Sequence, residues 1–418
     1  MERAHDENLF RDPRPKPARC SFDTPMALLL LPLLASASPP IGFALDLSLP
    51  TAPFPHYFER CVGSGHGALT MREDWRQHVA MARRDLGIQR VRFHGILDDD
   101  MSVSFSPNET GFVNVDSTCD FLLRNNMSMV MELGFMPRWL AAGKTGAAPT
   151  AGGDGPYSCT HSINHYIGCS DPPYDFELWG DLIYRLGKHL VERYGEDELG
   201  SRWEFEVWNE PGAQKGGDWW GTPAKYLELY SQAARALKRA SPKLQVGGPA
   251  GCSGEWGNQQ ADCLKTFIDY CRNNASGLIP SSFKLNGTVP LDFISTHEYA
   301  GGETNVNNAA SIVQHLSANK PIATENGLYY IMTEWGGSYK NGAGTGSGVG
   351  HGVGGTANYD YNTGVSWRGE QQDTHETAAF ILQTILKCHE ANLTWSEREA
   401  TSYWDIRCVP LTLKQESL

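Results

Sequence analysis

The chain lacks an excess of basic charge, an apolar run long enough to span a bilayer, and any evident internal repeat. Its 35 Lys and Arg face 48 Asp and Glu, and the formal net charge of −13 argues against a nucleic-acid groove or an anionic membrane surface. The apolar run that starts at Met26 is too short for a membrane span. What is present is a globular composition: 40% hydrophobic and 20% charged residues can bury a large core. A length of 418 residues allows two or three average domains, or one α/β barrel of about 250 residues or more. Aromatics reach 11%, including 12 Trp, enough to fill a core and to stack sugar rings.

Residues 1–45 read as a leader and 46–418 as one folded region. The segment from Met26 to Ala37 has a short apolar core followed by Ala35-Ser36-Ala37, the pattern of a secretory signal. The polar, Pro-rich stretch before it makes Met26 an alternative start. Asn108, Asn126, Asn274, Asn286 and Asn392 each begin an Asn-x-Ser/Thr sequon, which fits a secreted glycoprotein, extracellular or in a secretory-pathway lumen. Asn126 lies close to a predicted strand, where a glycan has little room. Removing the leader takes Cys20 and leaves nine of ten cysteines, so at least one lacks a partner. Cys159 with Cys169 is the preferred disulfide, and Cys252 pairs with Cys263 or Cys271. Cys159, His161, His165 and Cys169 match no familiar zinc spacing, and an oxidising compartment favours the disulfide, so no metal or other cofactor is expected.

The chemistry lies in two strand ends. In Trp203-Glu204-Phe205-Glu206-Val207-Trp208-Asn209-Glu210-Pro211, apolar and acidic residues alternate with the two-residue period of a strand before proline stops it. Glu210 shares the parity of Glu206 and Trp208. Far downstream, the apolar run Tyr329–Met332 leads into Thr333-Glu334-Trp335-Gly336. Cleaving a glycosidic bond needs two such carboxylates, one as acid/base and one held ionised as nucleophile. A neighbouring Asn can hold the sugar 2-hydroxyl.

Strand-like and helix-like segments alternate along the chain, the pattern of a parallel sheet. Strands are predicted at Phe58–Val62, Arg90–His94, Ser128–Leu133, Trp203–Trp208, Leu244–Gly247, Phe293–His297, Tyr329–Thr333 and Ala400–Trp404. Seven helices fall between them, one opened by Thr222 as N-cap and Pro223 at the first helical position. Eight strands and seven helices predict a (β/α)8 TIM barrel, with catalytic groups at the C-terminal ends of the strands. Parity then aims Arg92 and His94, Ser295, His297 and Tyr299, and Ser402 and Trp404 towards the mouth, beside Glu210 and Glu334. An inward Arg92 would keep a carboxylate ionised. Stretches 141–173 and 336–366 read as irregular, the second as a Gly-rich loop above the site.

Arg92 to Met101 (Arg-Phe-His-Gly-Ile-Leu-Asp-Asp-Asp-Met), Val207-Trp208-Asn209-Glu210-Pro211, Ser295-Thr296-His297-Glu298-Tyr299 and Thr333-Glu334-Trp335-Gly336 resemble glycoside hydrolase family 39. That family contains β-xylosidases and α-L-iduronidases, retaining enzymes on (β/α)8 barrels. The resemblance runs from about residue 55 to Trp404. It implies Glu210 as acid/base and Glu334 as nucleophile, with His94, Asn209, His297 and Tyr299 around the sugar. Arg92 would brace the nucleophile and Trp404 would wall the pocket. The sixth-strand His-x-Tyr resembles the xylosidase branch. Iduronidases carry a basic residue after that His, whereas an inward Glu298 would repel a uronate.

Glu325, in Ala323-Thr324-Glu325-Asn326-Gly327, is a competing nucleophile, but little strand character precedes it and a loop position is expected. Only fourteen residues follow Trp404, so the closing helix and C-terminal β-sandwich usual in the family are expected to be missing. The expected function is a retaining exo-glycosidase acting on β-xylosides or related neutral sugars, with an oligosaccharide, polysaccharide or glycoside as partner. An α-L-iduronidase-like hydrolase of glycosaminoglycan and a catalytically silent sugar-binding remnant are the alternatives.

Overall fold

The computed structural model describes Ser48 and residues 53–142, 169–212, 218–252, 260–273, 287–300, 309–337, 359–360, 365–366, 375–391, 393 and 395–403. The leader, Cys159, the sequons at Asn274, Asn286 and Asn392, Trp404, and most of stretches 141–173 and 336–366 lie outside the described residues.

Eight parallel strands close into the predicted (β/α)8 barrel. They are β1 (Val62–His66), β2 (Arg90–His94), β3 (Ser128–Leu133), β4 (Glu204–Val207), β5 (Gln245–Gly248), β6 (Phe293–Ala300), β7 (Tyr329–Gly337) and β8 (Ala400–Tyr403). Each pairs with its neighbours in sequence, and Val62 pairs with both Val91 and Tyr403 to join β1 to β2 and β8. The helices in chain order are α1 (Glu73–Leu86), α2 (Val113–Arg124), α3 (Phe176–Tyr194), the short α4 (Glu196–Arg202), α5 (Pro223–Ala240), α6 (Gln260–Asn273), α7 (Ala309–Thr324) and α8 (His375–Glu390). Among the described residues, no helix is long and apolar enough to cross a membrane.

Local chemistry sets the helix ends. Asp175 caps α3 by accepting from the backbone N–H groups of Glu177 and Leu178. Thr222 caps α5 ahead of Pro223, as the sequence predicts. In α1, Trp75, Val79 and Ala82 recur at helical spacing and are buried, and the helix stops at Gly87, whose φ of +75° is left-handed. Helices α3 and α5 meet closely: a Cβ on Gly187 would lie 3.2 Å from Ala240, and the Trp179 indole N–H donates to Leu229 O.

The bore of the barrel is layered. At the level of Phe293 it holds an apolar plug of Cys61, Val130, Phe293, Ile331 and Ala400. Gly247 leaves room for the Phe293 ring, because a Cβ there would lie 2.5 Å from the ring's Cγ. At the N-terminal end Arg90 donates to Glu204 at 2.5 Å, both buried, with Arg398 also on Glu204. The polar face of β4 therefore points into the barrel and is sealed from water, while Phe205 and Val207 pack outward in the main core.

One expectation shifts and two are sharpened. The first strand is Val62–His66 rather than Phe58–Val62, and Tyr57–Glu59 forms a 3-10 turn. Gly63, Ser64 and Gly65 carry almost no strand signal, and barrel closure decides their conformation. Helix α7 continues through Pro321 to Thr324, so the residues before Glu325 are helical, in keeping with the little strand character expected there. The turn that follows is closed by Leu328 N–H donating to Ala323 O, with Gly327 at φ +69°. Of the Cys252 alternatives, Cys263 is the partner; Cys271 is free and buried. Cys169 is also disulfide-bonded.

A buried charge left without its counter-ion is costly, about 3–5 kcal/mol. Glu204→Leu strands Arg90 in the barrel floor and is expected to lower stability by about that amount, read from the urea midpoint at constant m-value.

Candidate active site

The centre of the site is Arg92 on β2, fully buried inside the barrel. Its Nε donates to Glu206 on β4 at 2.6 Å, Nη1 to Glu334 on β7 at 2.7 Å, and Nη2 to Asn209 Oδ1 at 2.7 Å and to Glu132 on β3 at 2.8 Å. One guanidinium thus ties three carboxylates from three strands. His94, two residues on, gives Nδ1 to Glu132 at 2.6 Å, and its Nε2 lies 3.6 Å from Glu334.

Glu334 reaches this cluster through a β-bulge. Along β6 and β7 the register runs Thr296–Met332 and then His297–Glu334, so one extra residue enters β7. The bulge lets consecutive side chains face inward: Thr333 Oγ1 contacts Glu206 at 2.8 Å, and Glu334 binds Arg92 and accepts from the Tyr299 hydroxyl at 2.6 Å. Trp335 turns outward against Phe380 and Tyr403.

Glu210 arrives differently. The strand alternation breaks at Trp208, which has φ +69° and leaves the interior face. Trp208 packs edge-on against Phe135, Trp179 and Trp219, and its indole N–H donates to Asp218 O. The parity assigned to Trp208 therefore fails, because the backbone enters the left-handed region there. Glu210, at φ +43°, turns back over the mouth and donates its N–H to Ala250 O; Ala250 N–H in turn donates to Ser295 Oγ. Left-handed backbone at bulky non-glycine residues is costly and tends to cluster at functional sites.

His297 lies between the two acids: its Nδ1 is 2.8 Å from Glu210 Oε1 and 3.7 Å from Glu334 Oε2. One oxygen of each carboxylate and a ring nitrogen of His297 all lie within 4.8 Å of one another. These three could surround a small cation. Positive charge is already supplied by Arg92, however, and both Glu334 oxygens are engaged, which suits a carboxylate pair better. Burial opposes ionisation of Glu334, but His297, Arg92 and His94 outweigh it and hold its pKa below the usual carboxylate value. Burial, and then Glu334, push the Tyr299 phenol well above its ordinary range, so it stays a neutral donor.

The structure brings together Arg92, His94, Asn209, Glu210, His297, Tyr299 and Glu334; Trp404 lies outside the described residues. Asn209 is pinned by Arg92 and Asp218. Glu325 is exposed in the turn after α7, away from the strand ends, as its loop assignment predicts. Glu298 turns away from the mouth and pairs with His315 of α7 at 3.1 Å, so the repulsion expected of an inward acid does not arise. Glu132, Glu206, Thr333 and Asp218 were not singled out from sequence. For Glu132 a signal exists: it is the one charged residue in Ser128–Leu133 and shares parity with Val130, which faces the bore.

A closed parallel barrel with two glutamates meeting over a buried arginine at its C-terminal mouth defines a carboxylate-pair site of the (β/α)8 class. Residues 44–326 match the family described as glycosyl hydrolases family 39, and the chain belongs to that family. It is 40% identical over 248 residues to a β-xylosidase of Caldicellulosiruptor saccharolyticus, covering 58% of this chain and 43% of that protein. It is 27% identical over 221 residues to the α-L-iduronidase of Mus musculus, covering 52% and 29%. This chain thus spans less than half the length of either relative. A solved family 39 β-xylosidase from Caulobacter crescentus superposes with a TM-score of 0.58 at 26% identity, covering 86% of this chain and 65% of that one.

His94 gives a pH prediction. Burial disfavours its charge, but Glu132 and Glu334 prevail and raise its pKa from 6.5 to about 9. A raised value means the stabilisation is complete below about pH 6.5 and lost as pH climbs through about 9. Folding stability, measured by urea titration, is expected to fall across that window, and less steeply in His94→Gln.

Proposed function

We propose that the chain is a retaining exo-glycosidase that hydrolyses β-xylosides. The observation that carries this reading is the placement of Glu210 and Glu334, with oxygens within 4.8 Å, Arg92 donating to Glu334 and His297 on Glu210. Retaining glycosidases hold their carboxyl groups about 5–5.5 Å apart, and inverting ones about 6.5–9.5 Å. Glu334, kept anionic by its cationic neighbours, attacks the anomeric carbon while Glu210 passes a proton to the departing glycosidic oxygen. Water then bonds to that carbon as the Glu334 ester breaks, and Glu210 takes the water's proton. Asn209, His94, His297, Tyr299 and Trp404 bind the sugar. The resemblance to xylosidases supports xylose as the sugar.

A second reading, hydrolysis of α-L-iduronides, gains from the outward turn of Glu298, which removes an acidic obstacle to a uronate. We also propose that the protein enters the secretory pathway, with residues 1–45 as leader. The Cys252–Cys263 disulfide supports this, as does Asn108, exposed at the turn of the short hairpin Ser104–Thr110. Asn126 is exposed too, in the turn before β3, where a glycan has room.

A panel of aryl β-xyloside against aryl α-iduronide separates the two sugars, and binding without turnover on both would mark a silent remnant. On the hydrolysed sugar, Glu334→Ala is expected to abolish turnover. Glu210→Ala should cost about 10²–10⁴-fold where the leaving group needs a proton. Full activity in Glu334→Ala would rule out the double displacement.

A further inference from the structure

Thr333 is buried beside the nucleophile, and its Oγ1 lies 2.8 Å from Glu206 Oε1 and 3.0 Å from His297 Nε2. A hydroxyl has one proton to donate. Glu206 Oε2 accepts from Arg92 Nε at 2.6 Å, and a carboxylate in such an ion pair only accepts. The Thr333 proton therefore goes to Glu206, and Thr333 must accept from His297 Nε2–H. With Nε2 protonated, Nδ1 of His297 holds either a lone pair or, when the ring is the cation that acts on Glu334, the one remaining proton. Nδ1 faces Glu210 Oε1 at 2.8 Å, so this hydrogen bond contains a single proton belonging to the pair.

We propose that Thr333 is a positioning residue that fixes the Nε2–H form of His297 and thereby keeps the acid proton of Glu210 on the His297–Glu210 axis. The assignment rests on Glu210 being the acid/base of the proposed reaction. Before bond cleavage, Glu210 donates to the Nδ1 lone pair or shares its proton with it. Once that proton has passed to the leaving oxygen, the ring offers no donor to the Glu210 carboxylate, which stays basic enough to take a proton from water. The ionisable groups around the pair are Glu334 on β7, Tyr299 on β6, Arg92 and His94 on β2, Glu132 on β3 and Glu206 on β4. Among these, Glu206 reaches His297 only through Thr333.

Thr333→Val keeps the shape and removes the acceptor. The ring is then free to carry its proton on Nδ1 and donate it to the Glu210 carboxylate, which stabilises the anion. The alkaline limb of kcat/KM, which reports loss of the acid proton, is expected to fall by about one pH unit, the size of one hydrogen bond. The loss should be about tenfold for a phenyl glycoside and near unity for a dinitrophenyl glycoside, which leaves without protonation. Thr333→Ser should restore the wild-type profile. Nitrogen-15 NMR of histidine-labelled protein gives a readout independent of activity: His297 should be protonated at Nε2 in the wild type and at Nδ1 in Thr333→Val. An Nδ1–H, Nε2-unprotonated ring in the wild type, or an unmoved alkaline limb in a folded, active Thr333→Val, would overturn the assignment. A wild-type protein inactive on every glycoside would count against the proposed function instead, and the NMR result would still decide the tautomer.

Discussion

A single buried guanidinium organises the mouth of this barrel. Placing Arg92 inside the bore costs several kcal/mol of desolvation, recovered only if its donors meet acceptors in good geometry. Glu206, Glu132 and Glu334 supply them from three strands, so the barrel cannot hold Arg92 without bringing these acids together. The same contact helps hold Glu334 ionised, while Glu210 is matched to His297. Two chemically identical side chains thus meet different partners, Arg92 and Tyr299 for Glu334 and His297 for Glu210.

The precision of the pair comes from two local departures from regular backbone. The bulge in β7 turns Thr333 and Glu334 to the same side, and the left-handed residues after β4 swing Trp208 out and Glu210 in. Both sit on a rigid frame: Trp208 is clamped among aromatic rings, and Glu210 is tied through Ala250 to Ser295. Packing of that kind holds functional groups within the fraction of an ångström that bond-breaking geometry demands. At the opposite end of the bore, Arg90 and Glu204 form a second buried pair separated from the site by the apolar plug.

Much of this was legible in the residues. The Asn209-Glu210-Pro211 step and the Glu334 strand end marked both acids because proline and glycine punctuate strands, and seven of the eight strands were located because apolar runs have a short period. The first strand was misplaced because glycines carry no period at all. Trp208 was assigned to the wrong face because alternation holds only while the backbone stays extended. An inward Glu298 would repel a uronate, but strand geometry gives neighbouring residues opposite faces, and His315 holds it outside. Thr333 carries no signal of its own, because a threonine before a strand-end glutamate looks like ordinary strand composition.

By itself the amino-acid order determined the alternation of strands and helices, and with it a barrel whose strand ends carry the reactive groups, since hydrophobic periodicity and helix-capping residues act over short distances. Only the tertiary structure decided which acids share Arg92, which Cys252 partner is close enough to bond, and which way Trp208, Glu298 and Thr333 point. Those outcomes depend on strand register and on contacts that no local pattern encodes, from Cys252 with Cys263, 11 positions apart, to Arg92 with Glu334, 242 apart.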